Sequence, residues 1–357
     1  MFQTQDPNNP NRLVGKIFTS ADGIHWTYRT STTVIGDRFT IFFNPFRNKW
    51  VFSIRDYWYD RSRDYFETNS LTKGTNLENA VHWLRADNKD LRDPVIGDKP
   101  QLYNVDAVAY ESIMLGAFQI YLGPDNSITD ATGIPKVTNI HLGFSRDGFH
   151  FSRSEDRTAF LSCSQEAGVW DRGYLTTNAG ICMVNDDELW FYYTGFEGDE
   201  SLTNTGSCMS SGNYANSSTG LAKLRRDGFA SMDGTGTLLT EKITFSGKYL
   251  FVNANAQGGS VKAEILDENG NVIPGYSVND CVALTEDTTK TMLSFGEGKD
   301  LSEFAAKNVK IRFYLENAEL YSFWVSTDAE NGASNGYLAA GSVGQNGLID
   351  TKKSYTK

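Results

Sequence analysis

Short apolar-alternating runs punctuated by Asp-Gly constrain this chain more than any other feature. Three segments look alike: Ser20-Ala21-Asp22-Gly23-Ile24-His25-Trp26, Ser145-Arg146-Asp147-Gly148-Phe149-His150-Phe151 and Arg225-Arg226-Asp227-Gly228-Phe229. Each follows a strand-like run, "LVGKIFT", "NIHLGF" or "GLAKL", and the first two are followed by another. Asp-Gly between such runs marks a hairpin, because Gly takes a positive φ at no steric cost. The three aspartates stand 125 and then 80 residues apart. Both intervals are near multiples of the roughly 40 residues in a four-stranded propeller blade. Repetition at turns assigns Asp22, Asp147 and Asp227 to the scaffold, with side chains capping the turn.

The intervening runs fit that count. "FTIFFNP" and "KWVFSIRD" make a hairpin, followed by "YFETNSL" and "VHWLRA". "NVDAVAYE", "IMLGAFQIYL" and "NIHLGFS" come next, then "TNAGICMV", "ELWFYYTG" and "TGLAKLRR". Grouped as two, four, four and four, they give 14 strands up to about residue 232. No convincing helical period interrupts them. Cleaner alternation starts beyond Met232, with Asn269-Gly270 as a hairpin turn, and reads as a β-sandwich. The expected division is a propeller over 1–232, a sandwich over 233–326 and a loop-rich tail over 327–357. The polar stretch 199–219 is read as a mobile insertion or a lid.

Charge and composition exclude several classes. Lys and Arg number 33 against 44 Asp and Glu, a net charge of −11. That disfavours a nucleic-acid backbone or an anionic membrane surface as partner. No apolar run reaches the roughly 20 residues of a membrane helix, and the first residues show no signal-peptide pattern. Localisation is left open. Cys163, Cys182, Cys208 and Cys281 lack CxxC spacing and the four histidines lack HxxxH, so no metal and no cofactor is expected. The cysteines read as buried free thiols.

Several motifs together resemble bacterial proteins related to glycoside hydrolase family 32, in a poorly characterised branch. They are "FFNPFRNKWVFSIRD", "QLYNVDAVAYESIMLG", "HLGFSRDGFHFSR", "WDRG", "ELWFYYTG", "GLAKLRRDGFASMD" and "AELYSFWVS". The resemblance implies an all-β chain: a five-bladed β-propeller followed by a β-sandwich. Five four-stranded blades need about 20 strands, so the reading expects a propeller lacking its first blade or blade and a half. The Asn-Asp-Pro nucleophile motif of the fructan enzymes is absent, and "NNPN" at 8–11 lacks the Asp. Arg92-Asp93-Pro94 imitates another family motif but lies in a polar loop.

The resemblance also implies a carbohydrate ligand and carboxylate chemistry. A glycosidase needs a general acid and a second carboxylate, about 5 Å away for retention or 6.5–9.5 Å for inversion. Glu111 is the candidate acid, Asp106 its partner or transition-state stabiliser, and Asp171 a third acid. Asp106 and Glu111 stand inside a strand-like run where unpaired carboxylates are costly. They have opposite parity and cannot share one face of a regular strand. Trp170 or Tyr110 would wall the site, with Trp170 equally suited to covering a blade end. Asp56 and Arg55 read equally as an exposed pair or as binding residues. The expected function is glycosidase-like cleavage of a poly- or oligosaccharide. The alternative is a non-catalytic carbohydrate-binding protein.

Overall fold

The computed structural model describes residues 2–57, 59–73, 75–177, 181–203 and 211–337. The chain is all-β and opens with blade-type sheets. The first holds β1 (Phe2–Asp6), β2 (Asn9–Thr19) and β3 (Thr27–Ile35) in that order. The second runs β4 (Thr40–Asn44), β5 (Lys49–Asp56), β6 (Ser62–Thr68) and β7 (Val81–Arg85). The third runs β8 (Gln101–Tyr110), β9 (Ile113–Gly123), β10 (Val137–Ser145) and β11 (Ser152–Arg153). In all three, each strand pairs antiparallel with its chain neighbour, which is the meander that builds a propeller blade.

The third sheet carries the deepest burial. All ten residues from Met114 to Gly123 are buried in β9, where both faces are covered. Burial on both faces removes the polar alternation, so β8 and β9 read as near-continuous apolar runs. A short helix, α1 (Asn126–Thr132), links β9 to β10. Asp125 caps it by accepting from the Ser127 N–H at 2.9 Å, and Gly133 ends it at φ 71°.

The fourth sheet holds β12 (Gly173–Thr177), β13 (Met183–Asn185), β14 (Glu188–Phe196) and β15 (Ser217–Arg225). β12 pairs with the C-terminal part of β14 and β13 with its N-terminal part, and β15 also pairs with β14. Fifteen strands therefore precede residue 232 among the described residues, one more than the sequence suggested, because the first sheet has three.

The chain divides into two compact units, Met1–Cys182 with Phe191–Ala222, and Met183–Trp190 with Lys223–Lys357. The second contains β16 (Met232–Leu239), β17 (Tyr249–Asn255), β18 (Ser260–Asp267), β19 (Asp287–Leu293) and β20 (Val309–Ser326). β20 is the organising strand. One edge pairs with β16, while the other pairs with β18 up to Glu316 and with β17 from Glu319. The changeover falls at Asn317, whose φ of 44° bends the strand out of regular pleat. β20 thereby ties β16, β17 and β18 into one five-stranded sheet with β19. Val252 and Ala254 of β17, Val261 and Ile265 of β18, and Ile311 and Phe313 of β20 share one core.

Two of the three Asp-Gly segments are the same turn. Asp22 Oδ1 accepts from the Ile24 and His25 N–H groups at 2.9 and 2.8 Å, and from Ser20 Oγ at 2.9 Å. Asp147 Oδ1 accepts from Phe149 and His150 at 2.9 and 2.8 Å, and from Ser145 Oγ at 3.0 Å. Gly23 and Gly148 both take φ 75°. The third segment departs from this. It joins β15, paired with β14, to β16, paired with β20, so it closes no hairpin. Arg225 replaces the serine and Ala230 the histidine, and Asp227 accepts instead from Ser322 Oγ at 2.8 Å.

Cys163, Cys182 and Cys281 are buried free thiols, while Cys208 lies outside the described residues. So do 204–210 of the polar stretch and 338–357 of the expected tail. Residues 327–332 are ordered by Asp328, which accepts from the Glu330 and Asn331 N–H groups at 3.0 Å. No helix among the described residues is long and apolar enough to cross a membrane.

Candidate functional site

The starts of β4, β8 and β12 converge. Thr40 Oγ1 at the start of β4 donates to the Val105 carbonyl of β8 at 2.6 Å. Arg38, two residues before β4, places its guanidinium carbon 5.1 Å from the Tyr174 ring of β12 and 5.9 Å from the Tyr103 ring of β8. The Tyr174 hydroxyl donates to the Tyr103 hydroxyl at 3.2 Å. Tyr121 and Tyr214 extend this wall, with ring centroids 5.8 Å from Tyr103 and 5.3 Å from Tyr174 respectively, both edge-on. Edge-to-face packing at this spacing is favourable beyond area burial. Three successive sheets therefore meet at a tyrosine cluster, a basin whose Tyr103, Tyr121 and Tyr174 rings are themselves buried.

Cations line the basin. Arg55, near the end of β5, pairs with Asp37 and lies 5.6 Å from the Tyr103 ring. Arg61 lies 4.6 Å from the Tyr121 ring and donates to Gln101 Oε1 at 2.9 Å. Lys136 is buried and donates to the Tyr214 hydroxyl at 2.8 Å. Arg63 is fully buried, donating to Ser53 Oγ at 2.9 Å, to the Tyr103 and Arg38 carbonyls at 3.3 and 3.0 Å, and to the Ser53 carbonyl. It is a strut between strands, since its donors are spent on the backbone of three segments.

The electrostatics follow from burial. Desolvation pushes the Asp37 carboxyl above its usual range, against the pull of Arg38, Arg63, Arg61 and Lys136. Desolvation brings Arg63 down to about 9, aided by Arg55 of like charge. It also raises the Tyr103 hydroxyl, helped by Tyr174.

The residues expected from the sequence scatter. Arg55 is in the basin. Asp56, the next residue, joins Asp64 and His82: His82 Nδ1 lies 3.0 Å from Asp64 Oδ1 and 3.7 Å from Asp56 Oδ2. These three bring ligand atoms within 4.8 Å of one another, a donor set that a divalent cation could use. Asp106 is buried within β8, and its Oδ1 accepts from the Ala107 N–H at 2.9 Å. Burial pushes its carboxyl up to about 7, with that hydrogen bond and Arg63 opposing. It stands three residues beyond Tyr103, about 10 Å along the strand.

Glu111 is not inside a strand. Tyr110 pairs with Ile113, so Glu111 and Ser112 form the two-residue turn between β8 and β9, with Glu111 at φ 51°. A strand rise of about 3.3 Å puts it about 17 Å from Asp106 and about 26 Å from Tyr103, at the opposite end of β8. Tyr110 is buried beside that turn. Asp171 lies in the turn before β12, its backbone packed against Gly195 of β14. Burial and the Asp171 charge together raise the Tyr193 hydroxyl. Trp170, 37% exposed, sits 5.5 Å from the Tyr193 ring and over Gly220 of β15. Trp170 and Asp171 thus stay together on the fourth sheet. Arg92-Asp93-Pro94 is a loop turn, with Asp93 accepting from the Val95 and Ile96 N–H groups at 2.9 Å.

Sequence reasoning missed Asp37, Arg38, Arg61, Arg63, Tyr103, Lys136, Tyr174 and Tyr214. The available signal was "RDYWYDRSRD" at 55–64, where Arg, Asp and aromatics crowd one hairpin. Tyr214 comes from the 199–219 stretch read as a possible lid.

No family model matches the chain, and no curated protein matches it. Among solved structures it is similar to MPT-4, a mannose phosphorylase from Leishmania mexicana in complex with phosphate ion, at 12% identity and a TM-score of 0.36. That match covers 55% of this chain and 58% of the other. It is similar to the Bombyx mori GH32 beta-fructofuranosidase BmSUC1 at 10% identity and a TM-score of 0.36, covering 90% and 75%. It is similar to fructan 1-exohydrolase IIa from Cichorium intybus at 8% identity and a TM-score of 0.28, covering 88% and 90%.

Proposed function

We propose that this chain takes up a saccharide at the convergence of β4, β8 and β12, and that Asp37 is the carboxyl group that serves glycosidic chemistry there. The carrying observation is the juxtaposition of tyrosine rings from three segments with a half-buried carboxyl. Tyrosine offers an apolar ring for a sugar face and a hydroxyl for its polar edge, a role open to the partly buried Tyr214 rather than to the buried Tyr103, Tyr121 and Tyr174. Burial raises this carboxyl, the direction a proton donor to a leaving oxygen needs, while Arg55 and the other cations pull the opposite way. Asp106 acts at one remove, through its charge on Arg63.

One observation favours the non-catalytic alternative as the second reading. The second raised carboxyl, Asp106, is buried within β8 with its Oδ1 accepting from the Ala107 N–H, so it is not presented to a ligand beside Asp37. Glycosidases use two carboxylates facing one bond. A glycan panel with reducing-end detection, run beside a binding assay, separates the readings. Hydrolysis predicts release of reducing ends by the natural chain, its loss in Asp37→Asn, and retained binding in that variant. Binding without release in the natural chain gives the non-catalytic reading, and no binding by any saccharide removes both.

A further inference from the structure

The basin concentrates positive charge in a chain whose net charge is −11. The charges of Arg38, Arg61, Arg63 and Lys136 act on Asp37, and Arg55 pairs with it directly. Five cations thus surround one carboxylate. Arg63 is consumed by backbone acceptors, and Lys136 is engaged with Tyr214. Arg38 and Arg61 form no ion pair among the described residues. The Nε atoms of Arg55 and Arg61 are buried and have no hydrogen-bond partner. Of the nearby carboxylates, Asp60 pairs through Oδ2 with Lys99 at 2.6 Å while its Oδ1 is buried without a partner, and Asp125 caps the first turn of α1.

Like charges packed this closely repel, and a buried donor without an acceptor carries a desolvation cost. An oxyanion relieves the repulsion. Guanidinium is the side chain best shaped for one, because its planar fork matches carboxylate and sulfate oxygens two at a time. The rings of Tyr103, Tyr121 and Tyr174 lie against the guanidinium groups of Arg38 and Arg61 and restrict their motion.

We propose that the saccharide taken at this basin is acidic, and that its carboxylate or sulfate ester is held by Arg38, Arg55 and Arg61. This rests on the saccharide reading above and narrows its substrate class.

Calorimetric titration of the full chain tests it. The probes are a galacturonate trisaccharide, a sulfated galactan tetrasaccharide, their neutral counterparts, and inorganic sulfate alone. The expected result is that one acidic probe binds about tenfold or more tightly than its neutral counterpart, with the advantage shrinking as salt rises from about 20 to 200 mM. Which acidic probe wins identifies the oxyanion. Arg38→Gln should remove that advantage while leaving the melting temperature close to that of the natural chain, since among the described residues its side chain makes ring contacts but no hydrogen bond or ion pair. Arg61→Gln provides the same test should Arg38→Gln fold poorly. Equal binding of acidic and neutral probes, unchanged in both variants, overturns the inference and leaves the saccharide reading standing. Arginine-dependent binding of inorganic sulfate with no saccharide bound overturns the saccharide reading and, with it, the acidic-saccharide assignment.

Discussion

The Tyr174 hydroxyl donates to the Tyr103 hydroxyl at 3.2 Å, joining the start of β12 to the start of β8. Both residues are at most 5% exposed. Removing one hydroxyl leaves the other buried without its partner, at a cost of about 1–2 kcal/mol. Removing both takes away the bond and the orphan together. Urea denaturation should therefore show Tyr103→Phe and Tyr174→Phe each destabilised, and the double variant less so than their sum. Strict additivity would show that the two hydroxyls do not interact.

Asp106 gives a pH dependence of definite sign. Burial pushes its folded pKa up to about 7, well above the value of about 4 that an aspartate has in the unfolded chain. Between those values the folded state binds more protons than the unfolded state, so stability falls as pH rises from about 4 to 7 and stays lower above. The whole contribution is roughly 4 kcal/mol at most. Asp106→Asn removes this contribution. Denaturation at pH 5 and pH 8 should show the variant losing less stability than the natural chain as pH rises. Parallel behaviour of the two proteins would show that Asp106 is not the group responsible.

Arg63 tests the strut. Its donors satisfy Ser53 Oγ and the carbonyls of Ser53, Tyr103 and Arg38. Arg63→Met keeps the volume but strands those acceptors, at about 3 kcal/mol or more. Arg38→Gln strands nothing, and should change stability by under about 0.5 kcal/mol. The midpoint of urea unfolding distinguishes them, and equal midpoints would contradict the strut role.

Where the sequence could be read, the reason is local. The Ser-x-Asp-Gly-x-His segments at 20–25 and 145–150 carry every group that their turns use, so two matching strings fold into two matching sets of hydrogen bonds. Glu111 misled because Glu-Ser lacks the Gly or Asn that announces a two-residue hairpin turn. A residue adopting φ 51° there leaves no compositional mark. Asp227-Gly228 misled for the opposite reason: it has the turn signal, but pairing elsewhere took its flanking strands into different sheets. The basin was illegible because its residues come from the starts and ends of strands in three sheets. Arg38, Arg63, Tyr103, Lys136 and Tyr174 become neighbours only through pairing and sheet packing, which no spacing encodes.

The two matching turns differ in what covers them. Asn44 Nδ2 donates to the Asp147 carbonyl and Trp83 Nε1 to the Phe149 carbonyl, each at 2.7 Å. At the first turn Ile24 and Trp26 are exposed. Asp147→Ala removes a cap from a turn locked to the second sheet, and should cost about 1–2 kcal/mol. Asp22→Ala should lower the melting temperature less. Burial works against the Asp147 charge, but its bonds to His150 and the turn N–H groups win and hold the carboxyl below its usual range. Its contribution is therefore present above about pH 4 and fades on acidification, opposite in sign to that of Asp106. Equal losses from the two substitutions would show that the second-sheet contacts add nothing.

Glu111 separates sequence expectation from geometry in one experiment. It occupies a left-handed φ of 51° in a two-residue turn, a conformation that costs a non-glycine residue about 1 kcal/mol or more. Glycine takes it freely, though its more mobile unfolded chain gives part of that back. Glu111→Gly should therefore leave stability unchanged or raise it by up to about 1 kcal/mol. The turn also stands about 26 Å along β8 from Tyr103. Saccharide binding and any turnover should accordingly survive Glu111→Gly and fail in Asp37→Asn. A turnover loss in Glu111→Gly, with folding and binding intact, would return the acid role to Glu111 and move the site to the opposite end of β8.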